Sequence, residues 1–168
     1  MSLSERQIFL SGFCVCLLAM AFAVGFLQGY LDLEPCPLCT LTRIIVITLA
    51  SVFLIAGVHA PRGKGFYLYS LLLLAIALLG LAVQMRHIWL QSLPPGAAPA
   101  CGPGIEYIFD TLPFFSALFH ILSGSGECAE IDWQFLGLTI PMQTALLFIA
   151  LIAWILYPLI RRFTASRA

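Results

Sequence analysis

Residues 8–27 read IFLSGFCVCLLAMAFAVGFL, twenty positions without a formal charge. A helix needs about 20 mainly apolar residues to cross the hydrocarbon core of a bilayer, so this run reads as a membrane span. The start ahead of it, Ser2 to Gln7 with Arg6, resembles the n-region of a signal peptide. The apolar run exceeds the h-region length of about 7–15 residues and no polar mature domain follows, so the segment is expected to stay as an uncleaved anchor.

Three further runs of the same kind lie downstream. One begins near Pro37 and reaches about Val58, interrupted only by Arg43; another runs from Phe66 to about Trp89, uncharged until Arg86. The last, Met142 to Ile160, follows Pro141 and ends at Arg161 and Arg162. The segment Thr111 to Gly126, TLPFFSALFHILSGSG, also lacks formal charge, but it is short, holds Pro113 and His120 and ends in a Gly/Ser turn. It fits an interfacial amphipathic helix better than a fifth crossing. The sequence therefore predicts an all-α membrane protein, a four-transmembrane-helix bundle forming a single integral membrane domain over 1–168. Its spans are expected at about 8–29, 37–58, 66–89 and 142–160, with outer loops at about 30–36 and 90–141. The long outer loop carries the short interfacial helix.

Composition agrees. Of 168 residues, 61% are hydrophobic and 10% charged, and the mean hydropathy is +1.02. Soluble domains run at about 45–50% apolar and about 25% charged, which excludes a cytosolic globular protein, a disordered tail and a nucleic-acid binder. Net charge is zero, yet the charges are sorted. Arg6, Arg62, Lys64, Arg161, Arg162 and Arg167 fall in the N-terminus, the second loop and the C-terminus, which four crossings put on one side. By the positive-inside rule that side is the cytoplasm. Seven of the eight acids lie in the first and third loops, which contain no Lys or Arg and so face outward.

The six cysteines are of two kinds. Cys14 and Cys16 lie within the first span, where a thiol behaves as a small hydrophobe, and their spacing puts them on different helix faces. Cys36 and Cys39 form Cys-Pro-Leu-Cys where the first outer loop meets the second span. Pro37 suits the first helical position, leaving Cys36 at the cap and Cys39 in the first turn, where free amides and the helix dipole favour a thiolate. A metal half-site or a structural staple are the other readings of such a pair; a metal would need two further ligands. Cys101 and Cys128 share the third loop, on the same outer face. An oxidising compartment lets them form a disulfide closing roughly 28 residues, worth about 3 kcal/mol by chain entropy. Staple and redox shuttle are both open for this pair, and the neighbouring Cys-x-x-Cys favours exchange between the two pairs.

Arg43 lies four residues beyond Cys39 on the same face. It reads either as a snorkelling arginine or as an ionisable site residue that stabilises a Cys39 thiolate and donates to an electron acceptor. Arg86 and His87, near the outer end of the third span, read as interfacial anchors or site residues, and His120 as a headgroup-level polar residue. Sustained disulfide making needs a terminal oxidant. No dinucleotide fingerprint, haem-attachment motif or iron–sulfur spacing is present, so a lipid-soluble quinone reaching Cys39 from the bilayer is the economical acceptor. A rival reading has the outer cysteines chelating a soft metal such as Cu(I) or Zn(II); another makes the chain a purely structural tetraspan.

These residues together resemble the bacterial disulfide bond formation protein B (DsbB) family, over nearly the whole chain. The most specific parts are Cys-Pro-Leu-Cys with Arg43, and Gly126-Glu-Cys-Ala-Glu with Trp133-Gln-Phe-Leu-Gly-Leu ahead of Pro141. Gln28, His87 and Gln91 also match. The resemblance implies a multi-pass protein of the bacterial inner membrane with both termini cytoplasmic. It implies that a DsbA-like periplasmic thiol oxidase attacks Cys101, that the released Cys128 attacks Cys36, and that Cys39 passes electrons to a quinone from the membrane pool. Ubiquinone is the expected acceptor and menaquinone the alternative. Arg43, His87, Gln28 and Gln91 are the implied pocket residues. Thr42 stands where some members carry Glu, so no acid is assigned there.

Overall fold

The computed structural model describes residues 4–94, 97, 107, 110–124 and 126–165; Cys101 lies outside them. Helix α1, Glu5–Ala21, starts at a capping box in which Ser4 and Gln7 satisfy each other's backbone amides. It then widens into a π-helix, Phe22–Gln28, whose i→i−5 bonds carry on past its end as Gly29 N to Val24 O (2.9 Å) and Leu31 N to Phe26 O (3.0 Å). Helix α2, Pro37–His59, opens with Cys36 as cap and proline in its first turn, and closes on Ala60 in the left-handed region (φ 46°). Helix α3 spans Lys64–Gln91, two residues beyond its expected end at about Trp89.

After the long loop comes α4, Phe114–Ser123. At ten residues it reaches only about 15 Å, half a bilayer core, so it does not cross. It buries Ala117 and Ile121 and turns Phe115 and Phe119 outward. A 3₁₀ turn, Gly126–Cys128, leads to a two-stranded antiparallel hairpin, β1 (Gln134–Phe135) and β2 (Leu138–Thr139), paired Gln134 to Thr139 and Phe135 to Leu138. Its two-residue turn puts Leu136 and Gly137 at φ 53° and 78°, the positive angles of a I′ turn. Helix α5, Ile140–Ala165, follows directly and tolerates Pro158 near its end.

Helix α1 packs on α2, α2 on α3, and α3 on α5. Leu49, Phe53, Phe66, Leu73 and Phe148 fill the seam and are fully buried. The outer faces are apolar too: Leu18 is 69% exposed and Leu71 64%. A surface this oily belongs in lipid, and each of the four long helices has the length and hydropathy to cross it. The all-helical four-span class read from the sequence holds. Glu5 pairs with Arg162, whose guanidinium lies 4.2 Å over the Phe66 ring, so the start of α1, the start of α3 and the end of α5 meet at one end. Cys36, at the opposite end of α2, therefore belongs to the other.

Candidate active site

Cys36 sits where the helix-capping argument puts it, with its sulfur accepting from the Cys39 amide at 3.4 Å. One turn brings the Cys39 sulfur to 3.0 Å from that of Cys36, about 1 Å longer than a disulfide bond. Cys128 arrives from the 3₁₀ turn, fully buried. The sulfurs of Cys36 and Cys128 and a ring nitrogen of His87 all lie within 4.8 Å of one another. His87, buried on α3, places Nε2 3.9 Å from the Cys36 sulfur. Thus α2, α3 and the loop each deliver one member of a compact group.

Burial and its sulfur neighbours set the protonation of Cys36. A hydrogen bond from Cys128 pulls the Cys36 thiol down, but the bond to Cys39 and burial outweigh it and push Cys36 up to about 12. The Cys39 amide also pulls it down, but by less. Cys36 is held as a thiol that donates to Cys39.

Beside the sulfurs opens a cleft of about 200 Å³ between the π-helix, α2, α3 and the start of α5. Met20, Leu27, Val46 and Leu147 give it apolar walls, and Cys36 and Cys39 lie on its edge. Polar groups enter at few points. Arg43 lines it, with its guanidinium held by Gln28 Oε1 (2.6 Å) and the Ala23 carbonyl (3.4 Å). Gln28 itself is exposed and acts through Arg43. The π-helix makes this possible, since both acceptors come from it or its edge.

Gln91 does not join the cleft lining; its amide donates to the Glu130 carbonyl at 3.2 Å, tying α3 to the loop behind Cys128. Cys101 falls outside the described residues. Arg86 donates to the Leu122 and Ser123 carbonyls (3.3 and 3.0 Å), capping the end of α4, and stacks on Trp89. Cys16 is buried and Cys14 exposed, in keeping with opposite faces.

Sequence reasoning missed Gln84. It is buried in mid-span, donates to Thr42 Oγ1 at 2.7 Å and lines the cleft. An uncharged amide within an apolar run was the signal available. Trp133 was quoted only as part of a motif; it lines the cleft and packs on Phe22, Phe26 and Phe135.

The family model described as Disulfide bond formation protein DsbB matches residues 5–158. The chain belongs to the DsbB family. The disulfide bond formation protein B of Nitrosococcus oceani is 46% identical over 151 residues, 90% of this chain and 89% of that one. That of Marinobacter nauticus is 46% identical over 164 residues, 96% of each. This DsbB-family chain is accordingly a multi-pass membrane oxidoreductase of disulfide bond formation.

Proposed function

We propose that the protein reoxidises a DsbA-like periplasmic thiol oxidase and delivers the electrons to a membrane quinone, from the bacterial inner membrane with both termini cytoplasmic. The observation that carries this reading is the contact of Cys128, from the outer loop, with the Cys36–Cys39 pair at the edge of a cleft that holds Arg43.

The exchange balances as follows. A thiolate of the reduced partner attacks Cys101 of a Cys101–Cys128 disulfide, forming a mixed disulfide and expelling the Cys128 thiolate. The partner's second thiol resolves that bond, leaving the partner oxidised and Cys101 reduced. Cys128 attacks Cys36 of a Cys36–Cys39 disulfide, and Cys39 leaves as a thiolate. Return of Cys101 to Cys128 restores the outer disulfide and leaves Cys36 and Cys39 carrying the two electrons and two protons taken from the partner.

A quinone supplies the two-electron, two-proton sink. The cleft suits such a group: apolar walls accept a planar ring, and an arginine with five donors, two of them engaged among the described residues, has others to offer a carbonyl oxygen. Arg43 and His87 would hold it, with Gln28 fixing Arg43 and Gln91 serving the loop. Arg43 also stabilises the Cys39 thiolate one turn away. The sink is needed because DsbA lies near about −120 mV against about −270 mV for thioredoxin, so ordinary cysteine pairs would oxidise it uphill.

The test is turnover of a reduced DsbA-like protein by the purified enzyme with ubiquinone or menaquinone, followed by quinone absorbance. Stoichiometric loss of ubiquinone per partner disulfide is expected. Partner oxidation that proceeds unchanged without any quinone under anaerobic conditions overturns the reading.

A further inference from the structure

We propose that the reduced protein captures one thiophilic divalent ion, Zn²⁺ by its chemistry, on Cys36, Cys128 and His87, and that this ion reversibly stops exchange. The inference deepens the proposed function and rests on it, because the two sulfurs it occupies are the ones that must react with each other.

The donor set is two sulfurs and one imidazole nitrogen, all within 4.8 Å of one another, with the Cys36 to His87 separation at 3.9 Å. Zinc with bonds of about 2.3 Å to sulfur and about 2.0–2.1 Å to nitrogen needs its ligands roughly 3.5–3.8 Å apart, so the group must contract by no more than about 1 Å. Three protein ligands with a fourth position open is the zinc arrangement that admits a further ligand. Cys36 and His87 lie on the cleft, which supplies an entry path. His87 is buried on α3, so packing holds its ring in place before any ion arrives.

Binding releases two thiol protons and transfers no electrons. A Cys36–Cys39 disulfide removes one ligand, so the ion is selective for the reduced protein. With Cys36 and Cys128 both held, Cys128 can no longer attack, and α2, α3 and the loop are pinned together. Chelation of the ion restores exchange.

Equilibrium dialysis of the chelator-treated, reduced full-length protein against Zn²⁺, with Co²⁺ as a spectroscopic stand-in, tests this. One ion per chain is expected in the reduced protein and none after oxidation with diamide. His87→Ala should weaken binding roughly tenfold or more. Cys39→Ser keeps all three ligand atoms and should retain the ion, while Cys14→Ser leaves binding unchanged. The proposal is overturned if reduced protein binds no zinc, if His87→Ala binds it equally well, or if Cys39→Ser loses it, since the last would move the ion to the Cys36–Cys39 pair. Should His87→Ala fail to fold, the Cys39→Ser and Co²⁺ results decide. Quinone turnover of the metal-free enzyme separates the two readings: turnover without zinc binding removes the ion site alone, and zinc binding without turnover removes the exchange reading.

Discussion

The two ends of the bundle are built from the same four helices by opposite means. At the end carrying the termini, backbones close on aromatic and aliphatic side chains: a Cβ at Gly12 would run into the Phe53 ring and one at Gly57 into Leu10. Trp154 bonds the Ile8 carbonyl at 3.1 Å, and Arg162 reaches Glu5 and Phe66. At the sulfur end the packing around Leu38 and Leu90 leaves room for a cleft, and polar contacts are added to it: Arg43 with Gln28, Gln84 with Thr42, Arg86 with the end of α4. The contrast teaches that shape holds this protein together where nothing reacts, leaving the reactive end free to spend its surface on sulfur, donors and space.

Four substitutions would break or sharpen that contrast. Cys39→Ala should reduce quinone-linked turnover to background while leaving the fold intact by circular dichroism, because it removes one sulfur of the Cys36–Cys39 pair; substantial residual turnover would mean the electrons leave elsewhere. Arg43→Met should raise the quinone KM about tenfold to a hundredfold, the worth of a charge-assisted hydrogen bond of about 1.5–3 kcal/mol, with little change in partner exchange through Cys101. An unchanged KM would return Arg43 to a lipid-facing anchor. Gly12→Ala acts at the other end and should cost about 1–3 kcal/mol of stability by overpacking against Phe53, seen in thermal unfolding in detergent, with turnover per folded molecule preserved. Glu5→Gln should cost no more than about 1 kcal/mol, since a partly exposed ion pair contributes little beside close packing. A loss larger than that of Gly12→Ala would mean charge, not shape, closes that end.

Much of the bundle was readable from the chain because spanning lipid demands long uncharged runs, and because proline beside Cys36 specifies a cap through local geometry alone. Cys16 and Cys14 separated for the same local reason. What escaped depends on partners far apart in sequence. The two carbonyls that Arg86 meets come from α4, which folds back on it from 36 residues away. Gln91 looks like a neighbour of His87, yet its side chain turns to Glu130. The Gln84–Thr42 bond joins residues of two spans whose relative rotation no periodicity reports. That Cys36 stays a thiol was not legible either, because the helix dipole is visible in sequence whereas its burial and its sulfur neighbours are not.

The wide turn at Phe22–Gln28 has a consequence for inheritance. A π segment amounts to one surplus residue wound into an otherwise regular coil. Losing one residue there would let the coil rewind as an ordinary α-helix with the stretch beyond in nearly its old register. Ala23 and Gln28 stand five positions apart, roughly 140° around a regular α-helix but nearly stacked where bonds run i→i−5. The surplus residue is thus what lets both acceptors reach one arginine, and a deletion between them should be borne better than one elsewhere in the same helix.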